Sequence, residues 1–187
     1  GLAARAAYGA VLASPRQAEL FRATPIAYVW DDHDYGSDNG DRNAPTRAAV
    51  RQAYVENVPH YPFAAPGDGP IHQAFTAGRV RFVLTDLRSD RSPIALPDDA
   101  AKSMLGPAQK AWLKAELRAA AASHALVVWV NTVPWIVNEV EHSDRWNGYT
   151  TERAELAAFI PRERPTNVGM VSGAAHMLAV DDGTHSD

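Results

Sequence analysis

The chain of 187 residues contains no cysteine. That excludes disulfides and thiolate metal ligands, and it leaves the redox compartment unmarked. No apolar run approaches the roughly 18 residues that a membrane-spanning helix needs, and no signal-peptide pattern opens the chain at Gly1-Leu2-Ala3-Ala4-Arg5. Basic excess is missing too: the net charge is −4, which argues against a nucleic-acid binder with its basic stripe. Asp is absent from residues 1–25 and then appears five times between Asp31 and Asp41. What remains is ordinary for a soluble globular protein, 46% hydrophobic and 21% charged, with enough length for one domain and a real core. Composition sets no oligomeric state.

The run Asp31-Asp32-His33-Asp34-Tyr35-Gly36-Ser37-Asp38-Asn39-Gly40-Asp41 holds five carboxylates and one imidazole with no Lys or Arg. It follows Ile26 to Trp30, a short apolar stretch that reads as a buried strand. Each anion disfavours ionisation of its neighbours, a cost that a bound cation removes. The alternative is a solvated acidic turn. An EF-hand fails on spacing: with Gly40 in the sixth position, Tyr35 and Ser37 stand where Asp or Asn is required.

Along the chain, Leu2 to Leu12 reads as an Ala-rich helix, and Ser14-Pro15-Arg16-Gln17 starts a second one. A helix from about Ala48 to Val58 follows the acidic loop, and then a Pro- and Gly-rich loop runs to Pro70. Ile71 to Thr76 and Arg79 to Leu84, about an Ala77-Gly78 turn, form a hairpin. Leu105, Ala108, Trp112, Leu113, Leu117 and Ala120 share one helical face. Ala125 to Val130 reads as a strand covered on both sides. The sequence then predicts a polar loop over Glu139 to Tyr149, a helix from Thr150 to about Ile160, a strand over Asn167 to Ser172, and a last strand over His176 to Val180. The expected class is a layered α/β domain, one domain over residues 1–187. Polar residues close several strands: Asp31 to Asp34, Asp86 and Arg88, Asn131, and His176. Ligands gather at such ends, so their convergence would make a site.

These motifs resemble the PhoD-like alkaline phosphatases and phosphodiesterases, a branch of the metallophosphoesterases. Trp30-Asp31-Asp32-His33-Asp34-Tyr35 is similar to the family's Trp-Asp-Asp-His-Asp/Glu signature. Asp86-Leu87-Arg88-Ser89-Asp90-Arg91 resembles its Asp-x-Arg-Ser-x-Arg segment, and Leu105 to Leu113 its Leu-Gly-x-x-Gln-x-x-Trp-Leu helix. Asp144-Arg145-Trp146-Asn147-Gly148-Tyr149 with Glu152-Arg153, and then Ser172-Gly173-Ala174-Ala175-His176, follow the family's order.

The resemblance implies a metallophosphatase-like sandwich of two mixed β-sheets flanked by helices, a two-metal site at the sheet edges, and hydrolysis of phosphate mono- and diesters. It suggests iron with calcium, with manganese or zinc in related enzymes; oxygen-rich ligands without Cys independently favour hard cations. By the same resemblance Asp32 is a metal ligand, Asp31 a ligand or a carboxylate orienting His33, and His33 the group that meets a phosphoryl oxygen or protonates the leaving group. Asp34 is a second candidate for orienting His33. Asn39 is a further ligand candidate, and His176 is the imidazole ligand of the last motif. Arg88 either binds phosphate through its planar fork or forms a buried pair with Asp86. Two departures stand out. The upstream metal-binding Asp motifs have no counterpart in residues 1–25, so the domain is expected to be incomplete at its N-terminus. Ala174 replaces the Asp of Ser-Gly-Asp-x-His. The competing expectation is therefore a degenerate metallophosphatase-like domain with a binding or structural role. Export, common in the family, would depend on a leader upstream of Gly1.

Overall fold

A computed structural model describes residues 1–137, 143–162 and 167–182. In chain order the elements are α1 (Leu2–Ala13), α2 (Pro15–Ala23), α3 (Asp32–Tyr35), α4 (Arg47–Asn57), β1 (Gln73–Ala77), β2 (Val80–Leu84), α5 (Gly106–Ser123), β3 (Leu126–Asn131), a single 3₁₀ turn over Trp146–Gly148, α6 (Thr150–Arg162) and β4 (Val168–Ser172). Four strands form one mixed sheet in the order β1-β2-β3-β4. The β1–β2 pair is antiparallel, while β2–β3 and β3–β4 are parallel. The α/β class, a mixed sheet flanked by helices, is as the sequence indicates.

The hairpin forms one residue later than expected: Ala77 pairs with Val80, so Gly78 and Arg79 make the turn and Ile71 and His72 precede the strand. On α5 the buried positions are Gly106, Gln109, Leu113, Leu117 and Ala120, a helical stripe in which Gln109 stands where Ala108 was expected. This stripe and α6 cover the sheet face that carries Val83, Val127 and Trp129, closing the main core with Leu105, Trp135, Trp146, Tyr149 and Leu156. Burial in β3 alternates, so only one of its faces is fully covered. The opposite face, with Phe75, Phe82, Val128 and Val130, is half-buried. A second sheet is not found among the described residues.

The Ile26 to Trp30 stretch forms no strand and pairs with none among the described residues. Trp30 instead anchors a second core, fully buried with Tyr35, Val50, Tyr54 and Ile71. Its ring lies 5.4 Å from Tyr35 and 5.3 Å from Tyr54, tilted arrangements worth about 0.5–1.5 kcal/mol each beyond the area they bury. The expected strand over His176 to Val180 does not form; Ala174 and His176 have positive φ, 51° and 53°, which breaks extended geometry. Of the expected Glu139–Tyr149 loop, residues 138–142 lie outside the described residues, as do His142 and His185.

Two glycines are required by geometry. Gly106 opens α5 at φ +71°, and a Cβ there would stand 2.7 Å from that of Asp90. Gly148 packs so closely that a Cβ would fall 1.9 Å from the Ser143 carbonyl oxygen. Gly106 thus lies where the α5 motif meets the Asp86–Arg91 segment, and Gly148 where the chain turns back on Ser143.

Candidate metal and phosphate site

The acidic run folds into a tight turn because its own carboxylates cap it. Asp31 is the N-cap of α3 and Asp34 its third residue, each accepting from the other's backbone amide in a reciprocal capping box. The Asp31 amide reaches Asp34 Oδ2 at 3.0 Å. Asp32 accepts from the His33 amide at 2.8 Å and from the Asn39 amide at 3.3 Å. Asn39 sits at φ 58°, a conformation Asn tolerates, and its amide group donates to Asp38 at 3.0 Å. The loop therefore doubles back until Asp32, His33 and Asp38 each present a ligand atom within 4.8 Å of the others. His33 Nε2 is 3.8 Å from Asp38 Oδ1, and both side chains are largely exposed. Burial raises the Asp32 carboxyl, but the Asn39 and His33 amides and the Arg88 charge outweigh it and hold it below its ordinary value.

Behind this turn lies a buried charge network. Arg88 is fully buried and places Nε at 2.7 Å and Nη2 at 2.6 Å from Asp31 Oδ1. Its Nη2 also reaches Asp144 at 3.3 Å, and its Nη1 donates to the Gly40 carbonyl at 3.4 Å. Thr132, just past β3, donates to the same Asp31 oxygen at 3.1 Å. Burial raises the Asp31 carboxyl despite the opposing pull of Arg88 and Thr132.

The pair between Arg88 and Asp86 that the sequence left open does not form through the guanidinium. Asp86 is instead the acceptor of five hydrogen bonds. Oδ1 takes the Trp30 indole N–H at 2.9 Å and the Arg88 and Ser89 amides at 3.0 and 3.1 Å. Oδ2 takes the Ile71 amide at 2.9 Å and the Ser89 hydroxyl at 2.6 Å. One carboxylate thus holds the residue before Asp31 and the backbone of Arg88, setting both sides of the Asp31–Arg88 pair.

The remaining motifs interlock with this turn. Gln109 donates to the Asp86 carbonyl at 2.8 Å and accepts from its amide at 2.7 Å. Arg91 donates to the Tyr149 hydroxyl at 2.8 Å and to the Asp144 carbonyl. Glu152 accepts from Ser103 and from the Met104 and Leu105 amides, fixing the start of α5. Trp146 donates to Asn131 at 3.2 Å, and the Gly173 amide reaches the Asn131 carbonyl at 3.1 Å. The ends of β2 and β3 therefore meet the Asp31 turn through Arg88 and Thr132, and the end of β4 is tied to β3 by the Gly173 amide.

The family model for the PhoD-like phosphatases matches residues 4–186, nearly the whole chain. The chain belongs to the PhoD-like phosphatase family. No curated protein and no solved structure matches it. Membership in the PhoD-like phosphatase family indicates phosphoester hydrolysis in general, in a family that is generally metal-dependent, on a phosphate ester substrate. No helix among the described residues is long and apolar enough to cross a membrane.

Of the residues singled out from sequence, Asp31, Asp32, His33 and Arg88 come together in this PhoD-like chain. His176 lies beyond the β4 end, exposed, and is not in the one three-residue ligand group found among the described residues. Asp38, Thr132 and Asp144 were not named as site residues, and Asp86 was named only at a strand end and as a possible partner of Arg88. Asp38 carries a local signal, the glycines at 36 and 40 that bracket a tight return. Thr132 and Asp144 meet residues about a hundred and 56 positions away, respectively, contacts no spacing rule reveals.

Proposed function

We propose that this chain serves metal-assisted hydrolysis of phosphate mono- or diesters, with Asp32, His33 and Asp38 as the residues that hold an ion. The observation that carries the reading is their convergence within 4.8 Å on a turn braced by the Arg88 network. The donor set, two carboxylates and an imidazole, fits a hard or borderline cation, and iron with calcium is the pair we favour. A bound ion supplies Lewis-acid polarisation of a phosphoryl oxygen and a more acidic water.

The chain's own residues supply the rest. Asp32 stays ionised at neutral pH, its oxygens already oriented by two backbone amides. His33 is exposed; with one ring nitrogen on the ion, its other ring N–H would be left to hydrogen-bond a phosphoryl oxygen, whereas the alternative role, giving a proton to the leaving oxygen, requires that His33 does not ligate. Asp31 is committed to Arg88, Thr132 and the α3 cap, so we assign it to orienting the turn rather than to coordination. Arg88, considered for phosphate binding, is buried and held by two carboxylates, and we assign it the same positioning role. His176 is retained as a ligand for a second ion on its motif alone.

In assays with bis-p-nitrophenyl phosphate and added metal, Asp32→Asn and His33→Ala are each expected to lower turnover by roughly 10²-fold or more. Asp68→Asn, at a remote exposed position, should match the parent. Parent-like turnover in both site variants would refute the assignment. Ala174 and the exposed His176 favour a second reading, a PhoD-like domain that holds one ion and does not turn over. Under that reading Ala174→Asp raises the metal content; unchanged content removes position 174 from the ligand set.

A further inference from the structure

A cavity of about 970 Å³ opens beside the Asp32–His33 turn. His33, Asp34 and Gly36 form one part of its lining, α1, α2 and α4 a second, and the segments 24–28 and 58–61 much of the rest. Its size is at the upper end for small-molecule pockets and far above the voids that packing leaves in a core. The α1 and α2 walls are apolar, with Ala7, Val11 and Phe21 among their residues, and Tyr8 is the only polar side chain they offer. The Tyr8 hydroxyl is shielded from solvent beside Tyr28. Burial pushes it up to about 12, so it remains a donor. A peptide segment lying against these walls would find almost nothing to satisfy its backbone amides and carbonyls, whereas a hydrocarbon body would. The cavity's continuity with the His33 turn gives the occupant a phosphate at one end.

We propose that this cavity is the leaving-group pocket of the phosphoester site, and that the substrates are amphiphilic phosphates, esters of apolar alcohols. The inference rests on the phosphoesterase reading above. The phosphate sits at the Asp32–His33–Asp38 turn and the apolar body lies against α1 and α2. In hydrolysis water oxygen bonds to phosphorus and the P–O bond to the apolar alcohol breaks. The departing oxygen takes up a proton, so phosphate and the free alcohol are the products.

The test is titration calorimetry on the manganese-supplemented chain with inorganic phosphate, butyl phosphate, octyl phosphate and octanol. Four added methylenes should tighten octyl over butyl phosphate on the order of a hundredfold, and octyl phosphate should bind more tightly than octanol. Ala7→Trp, which fills the cavity, should cut the octyl advantage to below about tenfold while inorganic phosphate binds as before. Val11→Trp on the same wall, checked with Ala7→Trp by thermal melting, guards against a variant that misfolds. Equal affinity for butyl and octyl phosphate, with inorganic phosphate still bound, overturns the pocket and leaves the phosphoester reading standing. Octanol binding without any phosphate binding overturns both. Self-association that Ala7→Trp abolishes would assign the cavity to a second copy of the chain and overturn the proposal.

Discussion

Replacing Asp86 tests whether one carboxylate sets the geometry of the whole motif cluster. In Asp86→Ala, four donors lose their acceptor in the buried interior: the Trp30 indole and the amides of Ile71, Arg88 and Ser89. The Ser89 hydroxyl can turn elsewhere. At about 1–3 kcal/mol for each orphaned donor the sum is roughly 4–12 kcal/mol, comparable with the ~5–15 kcal/mol stability of a typical domain. A water entering the vacated space would bring the cost towards the lower figure. Asp86→Asn is milder. Its oxygen best replaces Oδ1, which serves three donors, leaving the new NH₂ facing the Ile71 amide. The lost bond and weaker neutral acceptor are partly offset because an amide costs less to bury than a charge, giving about 2–4 kcal/mol. Urea unfolding followed by circular dichroism gives both values. Asp86→Asn within 1 kcal/mol of the parent, or Asp86→Ala less damaging than Asp86→Asn, would refute the reasoning.

Arg88→Met should destabilise the chain by about 2–4 kcal/mol, because Asp31 is left without its buried partner but keeps some solvent contact. Adding Asp31→Asn should recover part of that loss in the same unfolding assay, and additive losses would rule out the coupling. His72 is buried against Trp112, and burial drops its imidazole from about 6.5 to about 4 despite the nearby Asp86 charge. Above pH 6.5 neither state carries the proton and His72 contributes nothing to pH dependence. As pH falls from 6.5 to about 4, the unfolded chain gains a proton the folded chain refuses, and up to about 3 kcal/mol of stability is lost. His72→Phe should remove that part of the acid sensitivity, and identical pH–stability curves for variant and parent would contradict it.

Much of the fold was readable from local pattern. The hairpin, α5, α6 and the apolar runs of β3 and β4 follow from period and turn chemistry, each off by a residue or two. The Ile26–Trp30 stretch misled, because an apolar run announces burial and not a strand partner, and Trp30 buries against α4 and Ile71 instead. Half-burial of the second sheet face was hidden for the same reason: Ala125 to Val130 is uniformly apolar, yet only alternate residues are covered. At the site, Asp32 and His33 stood out by charge density. The capping pair Asp31 and Asp34, three residues apart, is a local signal that could have marked a helical turn rather than a loop. What Arg88 and Asp86 do could not be read locally, since their partners include Asp31, Ile71, Gln109 and Asp144 from well-separated parts of the chain.

The most direct test of the central claim is elemental analysis of the purified chain, with phosphodiester hydrolysis measured on the same sample and on Asp32→Asn. The account predicts bound metal in the parent, turnover that tracks it, and loss of both in the variant. Full metal content and parent-like turnover in Asp32→Asn would contradict it.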